Sequence, residues 1–547
     1  MNLLNDPWLP VILTDGQQTD IRMAEIARPD IQNLAFPRTD FQGAAYQLII
    51  GVLQTVFAPE DEDEWLDRLQ TPPSEYDLQQ ALEQITHAFN LTGDGPLFMQ
   101  DFDSLESAKS SSVASLLIEA PGENGIKLNT DFFIKRQFMQ QMSLPMAALA
   151  LFTLQINAPS GGQGHRTGLR GGGPLSTLVL SNQTEATLWS SLWLNVMCLS
   201  WFQQAIKGEW PEPDFTDGSV FPWLAATRTS EKKGSAVLPI DVHPLQRYWA
   251  MPRRIRLDVE MREGQCDLSG RASKPLVSHY RSQNYGANYE GDWYVHPFTP
   301  YRGDPKKPEE ERLSIKGQPG GISYKQWDVL RLAADSSSGG NQNPALVVDH
   351  MHEMAHRLAD ELQEQLRLWA FAYDMDNMKP RGFYSIEMPF VALPPTLEKA
   401  FFSEIKRLQG LATEILKQVR SQIKKAWFER SEDAKGDFSF IDLTFWQRTE
   451  AHFFAAISEL GKIAKVHPDY LQLPPESARH WLRAMQRTAL DIFDETVLSS
   501  EPEPHKMKDK IQARNELKVW LYYSKKPIQQ FKADYQVDAT KPQEVSQ

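Results

Sequence analysis

"PTLEKAFFSEIKRLQGLATEILKQVRSQIKKAWFE", Pro395 to Glu429, carries the plainest helical signal in the chain. Leu397, Phe401, Ile405, Leu408, Ala412, Ile415 and Val419 recur at spacings of three and four, which puts one apolar stripe along a helix. Further helices are expected at roughly 440–466, 474–499 and 506–531. Gly436, His467-Pro468, Pro474-Pro475 and Pro502/Pro504 separate them. Four antiparallel helices with short connections make a four-helix bundle, here assigned to residues 386–547.

Residues 1–385 have a different texture and read as one large mixed domain. "PWLPVIL" (Pro7–Leu13) is strand-like, and "FQGAAYQLIIGVLQTVF" (Phe41–Phe57) is a strongly apolar helix. A second apolar helix is expected at about 143–156. Residues 235–345, rich in Pro, Gly and aromatics, read as β-rich or irregular, and helical periodicity is read from Ala345 to about Tyr373. The fold class is therefore α+β: a large mixed α/β N-terminal domain and a C-terminal four-helix bundle.

Composition narrows the function. The 547 residues are 41% hydrophobic with a formal charge of −14, which fits a folded chain. No apolar run reaches the length that spans a bilayer, and "MNLLNDPWLPV" lacks a basic leader, so a cytoplasmic protein without a membrane partner is expected. Two cysteines supply neither a disulfide framework nor a Cys-rich zinc site. The negative charge is concentrated upstream of the bundle. Basic clusters such as Lys135-Arg136, Arg253-Arg254 and Lys424-Lys425 leave room for a polyanionic partner.

Seven glycines lie between Gly161 and Gly173 in "GGQGHRTGLRGGG". Glycine is costly to order, so such a concentration implies sharp turns or a close backbone approach. The spacing fits neither a P-loop nor G-x-G-x-x-G. A backbone approaching a larger ligand remains, with Arg166 and Arg170 suited to phosphates. "HEMAH" (His352–His356) is a literal H-E-x-x-H, in which His352 and His356 would bind zinc with Glu353 as general base. A third ligand is not framed: Asp360 lies about 12 Å along the helix from His352. A zinc metallohydrolase is the alternative reading, and no metal or cofactor is expected under the main one.

"NDPWLPV" (Asn5–Val11), "GPLFMQ" (Gly95–Gln100), "NTDFFIKR" (Asn129–Arg136), "GLRGGGPLSTLV" (Gly168–Val179) and "DMDNMKPRGFY" (Asp374–Tyr384) stand in this order along the chain. Together they resemble the CasA family, the large subunit of the type I-E CRISPR Cascade surveillance complex, over essentially the whole length. The resemblance implies a non-catalytic subunit that joins crRNA and the backbone and small subunits. It also implies antiviral defence: recognition of the protospacer-adjacent motif (PAM) in double-stranded DNA, R-loop formation, and recruitment of a helicase-nuclease. Base pairing then reads the long sequence and protein reads only the short duplex motif.

By the same resemblance, Gly161, Gly162, Gln163 and Gly164 form a loop that enters the minor groove, about 6 Å wide. Gln163 stands where glycine is common in the family. Met375, Asp376, Asn377, Met378 and Lys379 correspond to a wedge at the first base pair beyond the PAM, with Asn377 as polar tip and Met375 or Met378 as an apolar blade. The family's groove-entering lysine has no counterpart between His279 and Tyr301, where Arg281, Gln283 and Asn284 are the expected substitutes. Phe133, Ile134, Lys135 and Arg136 match the segment that contacts the crRNA 5′ handle, Phe133 by stacking and the two cations at phosphates. Some relatives hold zinc through a cysteine cluster, but only Cys266 stands in that region here, so no structural zinc is expected.

Overall fold

A computed structural model describes residues 1–537 except 130, 132–136, 160, 183–185, 208–209, 233–234, 292, 294, 305, 308–311, 334–340, 377–378, 429, 431–434, 468 and 500–505. The chain divides into two compact units, one of Met1–Gln318 with Ala333–Glu387 and one of Pro319–Leu332 with Met388–Gln547.

The first unit is built round two buried helices, Thr39–Val56 and Leu144–Asn157, which pack on one another. Both are apolar nearly all round, the pattern of a helix enclosed on every side. Pro145 is tolerated in the first turn because no intrahelical partner awaits its missing N–H. Aromatic rings fill the space beside them: Phe89 stacks on Phe98 at 5.2 Å, and Trp223 meets Phe98 edge-on at 5.2 Å.

Three sheets frame this core. Leu9–Leu13 lies between Gln18–Ile21 and Ile31–Leu34, so the strand-like N-terminus is a central strand. Leu276–Gln283 pairs antiparallel with Arg254–Glu260, Ser110–Ser112 and Met142–Ser143. In the third sheet, Leu366–Asp376 lies between Ser176–Ser181 and Lys379–Pro389. Gly43 lets the first helix approach this sheet, since a Cβ there would stand 2.6 Å from the Phe371 ring.

The helix expected from Ala345 to Tyr373 is only half present. A helix covers Leu346–Met354, a 3-10 turn follows at Ala355–Arg357, and a short helix runs from Asp360 to Gln365. "LRLWAFAYDMD" (Leu366–Asp376) is then a strand. Trp369, Phe371 and Tyr373 alternate with Leu368, Ala370 and Ala372, so the period is two. Because both faces are buried, the hydrophobic pattern is nearly continuous and hides that period.

The second unit contains the expected bundle: Glu398–Trp427, Ser439–Val466, Pro475–Phe493 and Met507–Tyr523. An upstream segment joins its core. Tyr324 is fully buried, stacks on Phe453 at 4.4 Å and shares a hydrogen bond with Thr449 at 2.8 Å. The Trp327 indole N–H donates to the Pro389 carbonyl at 3.0 Å, and Arg331 Nε donates to that of Val391 at 3.0 Å.

Candidate nucleic-acid interface

The glycine stretch leaves the end of the buried helix Leu144–Asn157 and does two jobs along its length. In its first half the chain turns back at Gly162, where the His165 N–H donates to the Gly162 carbonyl at 3.2 Å. Gly164 has φ +77°, and a Cβ there would lie 2.9 Å from Asn284 Cβ and 3.0 Å from the Tyr285 nitrogen. The Tyr285 N–H closes this approach by donating to the Gly164 carbonyl at 2.8 Å. Gly164 is thus glycine for reasons internal to the fold. Gly162 is different: it is exposed, and a Cβ there would meet nothing within 4 Å.

Gln163 is exposed at the tip, and its Nε2 donates to the Tyr285 hydroxyl at 2.9 Å. Tyr285 itself sits at φ +63°, a conformation that bulky residues rarely adopt. The loop and the 283–286 segment are therefore one structure, which unites two separate sequence expectations. Gln283 and Asn284 are exposed beside it. Gly161, Gly162, Gly164, His165, Arg253 and Gln283 line a groove of about 680 Å³. Arg253 supplies positive charge to its wall, its guanidinium donating to the Pro159 carbonyl. Burial pushes the Arg253 guanidinium down to about 10. His165 is held below the ordinary imidazole value by loss of hydration and by the charge of Arg253, so it is neutral at pH 7.

The second half of the stretch is anchored to the hairpin of Leu366–Asp376 and Lys379–Pro389. Gly173 has φ +60°, and a Cβ there would stand 2.6 Å from Met375 Cγ. Gly317 forms a parallel bridge with Asp374, and Pro174 pairs with Lys316 beside it. Across the hairpin, Asp374 is buried and receives two bonds from Arg381, at 2.7 and 3.1 Å. Asp376 and Lys379 are exposed where the strands end. Asn377 and Met378, the connection itself, lie outside the described residues, as do Phe133, Ile134, Lys135 and Arg136.

Four sequence expectations change at this point. Arg170 is 4% exposed, and its Nη atoms donate to Ser176, Thr299, Gln47 and the Ile156 carbonyl, so it is an interior strut with nothing left for a phosphate. Met375 rests on Gly173 at the foot of the hairpin, which removes it as an apolar blade. Arg281 is half-buried and tied to Asp258 at 3.0 Å and to the Glu106 carbonyl at 2.6 Å. Arg166 is likewise engaged, donating to the Ser230 hydroxyl at 2.8 Å. Tyr285 is not singled out by the sequence, and only its positive φ reveals its role as a clamp. Arg253 was visible as half of a basic pair, without sign that it faces the glycines.

The HEMAH segment does not form the metalloprotease arrangement. Its α-helix ends at Met354, so His356 falls on the following 3-10 turn. Glu353 accepts a bond from the Trp201 indole at 2.8 Å. Among the described residues no three His, Cys, Asp or Glu side chains converge as a metal-ligand set. No helix among them is long and apolar enough to cross a membrane.

Residues 2–492 match the family model for CRISPR-associated protein Cse1. The fold is similar to Thermus thermophilus CasA (Cse1), with a TM-score of 0.65 and 16% identity over 95% of this chain and 99% of that one. Thermobifida fusca Cse1 gives a TM-score of 0.61 at 17% identity, over 95% of this chain and 97% of that one. A chain of a CRISPR RNA-guided surveillance complex gives 0.56 at 15% identity, over 94% of this chain and 99% of that one.

Proposed function

Since this chain belongs to the CRISPR-associated Cse1 family, we propose that it is the large, non-catalytic subunit of a cytoplasmic type I-E Cascade and reads the PAM in double-stranded DNA from the minor groove. The observation that carries this reading is the contrast within the glycine loop. Gly164 is explained by packing on Tyr285, whereas Gly162 stands in open space beside the exposed Gln163. A glycine that nothing in its own chain requires is suited to a partner that comes closer than a Cβ allows. A minor groove is such a partner.

The hairpin follows in the same scheme. Asp374 and Arg381 stiffen its base, Met375 seats it on the glycine stretch, and the 377–378 connection opens the first base pair after the PAM. Guide and target strand then pair, and a helicase-nuclease joins the open complex. Phe133, Lys135 and Arg136 serve the crRNA handle, with the ring stacking on a base and the cations meeting phosphates.

The test separates reading from opening. Asn377→Ala with Met378→Ala should slow strand separation at least tenfold, followed with 2-aminopurine beside the PAM, while PAM binding changes less than threefold. Equal opening rates would remove the hairpin from the mechanism.

A further inference from the structure

Gln163 stands at the corner of a hydrogen-bonded turn. The His165 N–H donates to the Gly162 carbonyl at 3.2 Å, so Gly162, Gln163, Gly164 and His165 are the four residues of that turn. Gly164, in third place, has φ +77°, the value that favours glycine at that position of a type II turn. Gln163 is exposed in second place, and neither glycine beside it has a side chain to cover it.

The exposed amide is nevertheless held. Its Nε2 donates to the Tyr285 hydroxyl at 2.9 Å. Tyr285 is itself fixed, with φ +63° and its N–H donating to the Gly164 carbonyl at 2.8 Å. Among the described residues Gln163 Oε1 has no partner, so the uncommitted end of the amide is an acceptor. The neighbouring amides differ. The Asn284 side chain is bonded to the neutral His165 ring, and Gln283 is exposed without an anchor of this kind among the described residues. An unanchored carboxamide can turn to donate or accept and so carries little sequence preference.

An anchored acceptor discriminates in one direction within a minor groove. A·T and T·A pairs present only acceptors there, whereas a G·C pair adds the guanine N2 amine as a donor. Opposite that amine the Gln163 oxygen gains a hydrogen bond. Opposite an A·T pair it loses water and meets only lone pairs, which is the costly case for a polar group.

We propose that Gln163 is a specificity-determining residue that selects a G·C pair, in either orientation, at one PAM position by accepting from guanine N2, with Tyr285 as its positioning residue. This rests on the minor-groove reading above and adds to it: the glycine backbone admits the loop, and Gln163 gives it a base preference.

The experiment presents the assembled crRNA complex with duplexes whose PAM positions are varied one at a time. Each position carries G·C, A·T, inosine·C, which lacks the minor-groove amine, or 2,6-diaminopurine·T, which gains one. At one position the wild-type complex should prefer G·C over A·T about three- to tenfold. There inosine·C should bind like A·T, and diaminopurine·T like G·C. Gln163→Leu, incorporated equally, should lose this preference while keeping discrimination at the other positions. Tyr285→Phe should weaken the preference at that same position. A wild-type complex that selects PAMs yet ignores the amine at every position overturns the proposal and leaves the minor-groove reading standing. An amine preference that persists in Gln163→Leu overturns it too, by assigning the contact to another group. Binding without any PAM preference, unaltered by Gly162→Leu, overturns the proposal together with the reading beneath it.

Discussion

At the scale of single residues, the glycines divide by what surrounds them. Gly164→Ala places a Cβ 2.9 Å from Asn284 at φ +77° and should cost about 1–3 kcal/mol, read as a lowered urea midpoint. Gly162→Leu has room in the free chain, so its unfolding free energy should stay within about 0.5 kcal/mol of the parent's. The sequence showed that glycines were concentrated here, but their separate reasons depend on neighbours distant along the chain. Arg170 illustrates the same limit. A cation among glycines looks exposed, yet two of its acceptors, Gln47 and Thr299, are 123 and 129 residues away. Nothing local announces that it is buried. Gln163, flagged as a departure from the family, is exposed at the loop tip, and its clamp Tyr285 lies 122 residues on.

At the scale of elements, the hairpin and the glycine stretch stand or fall together. Gly173→Ala should destabilise by about 1–3 kcal/mol through its φ and its contact with Met375. Adding Met375→Ala should recover the steric part, so a double-mutant cycle should return a coupling of about 0.5–2 kcal/mol. The helix Leu346–Met354 makes a pH prediction. His350 is buried there, its Nε2 accepting from the Cys198 N–H at 3.3 Å, and desolvation drops it to about 3. Its folded value lies below its unfolded one, so this contribution is complete above pH 6.5 and declines as pH falls from about 6.5 toward 3. His350→Leu should therefore flatten the rise of stability with pH over that window by about 1.4 kcal/mol per unit, measured by urea melts at stepped pH. Element type was legible wherever one face is polar, as in Glu398–Trp427. It failed at Leu366–Asp376, where burial on both faces erases the periodicity on which such a reading depends.

At the scale of the molecule, α+β architecture and the helical bundle were readable from composition shifts and proline punctuation. The recruitment of Pro319–Leu332 into the bundle's unit was not, because a short aromatic segment carries no mark of which core it will enter. Tyr324→Ala tests that recruitment: loss of its stacking on Phe453 and its bond to Thr449 should cost the bundle about 3–5 kcal/mol in a denaturant melt. The functional account rests on one loop. The most direct test is selection of a randomised PAM library by the assembled crRNA complex, with this chain as wild type or Gly162→Leu. The account predicts that wild type enriches a restricted set of PAMs and that the variant, incorporated equally, loses that enrichment at least tenfold. Equal enrichment by both complexes would contradict it.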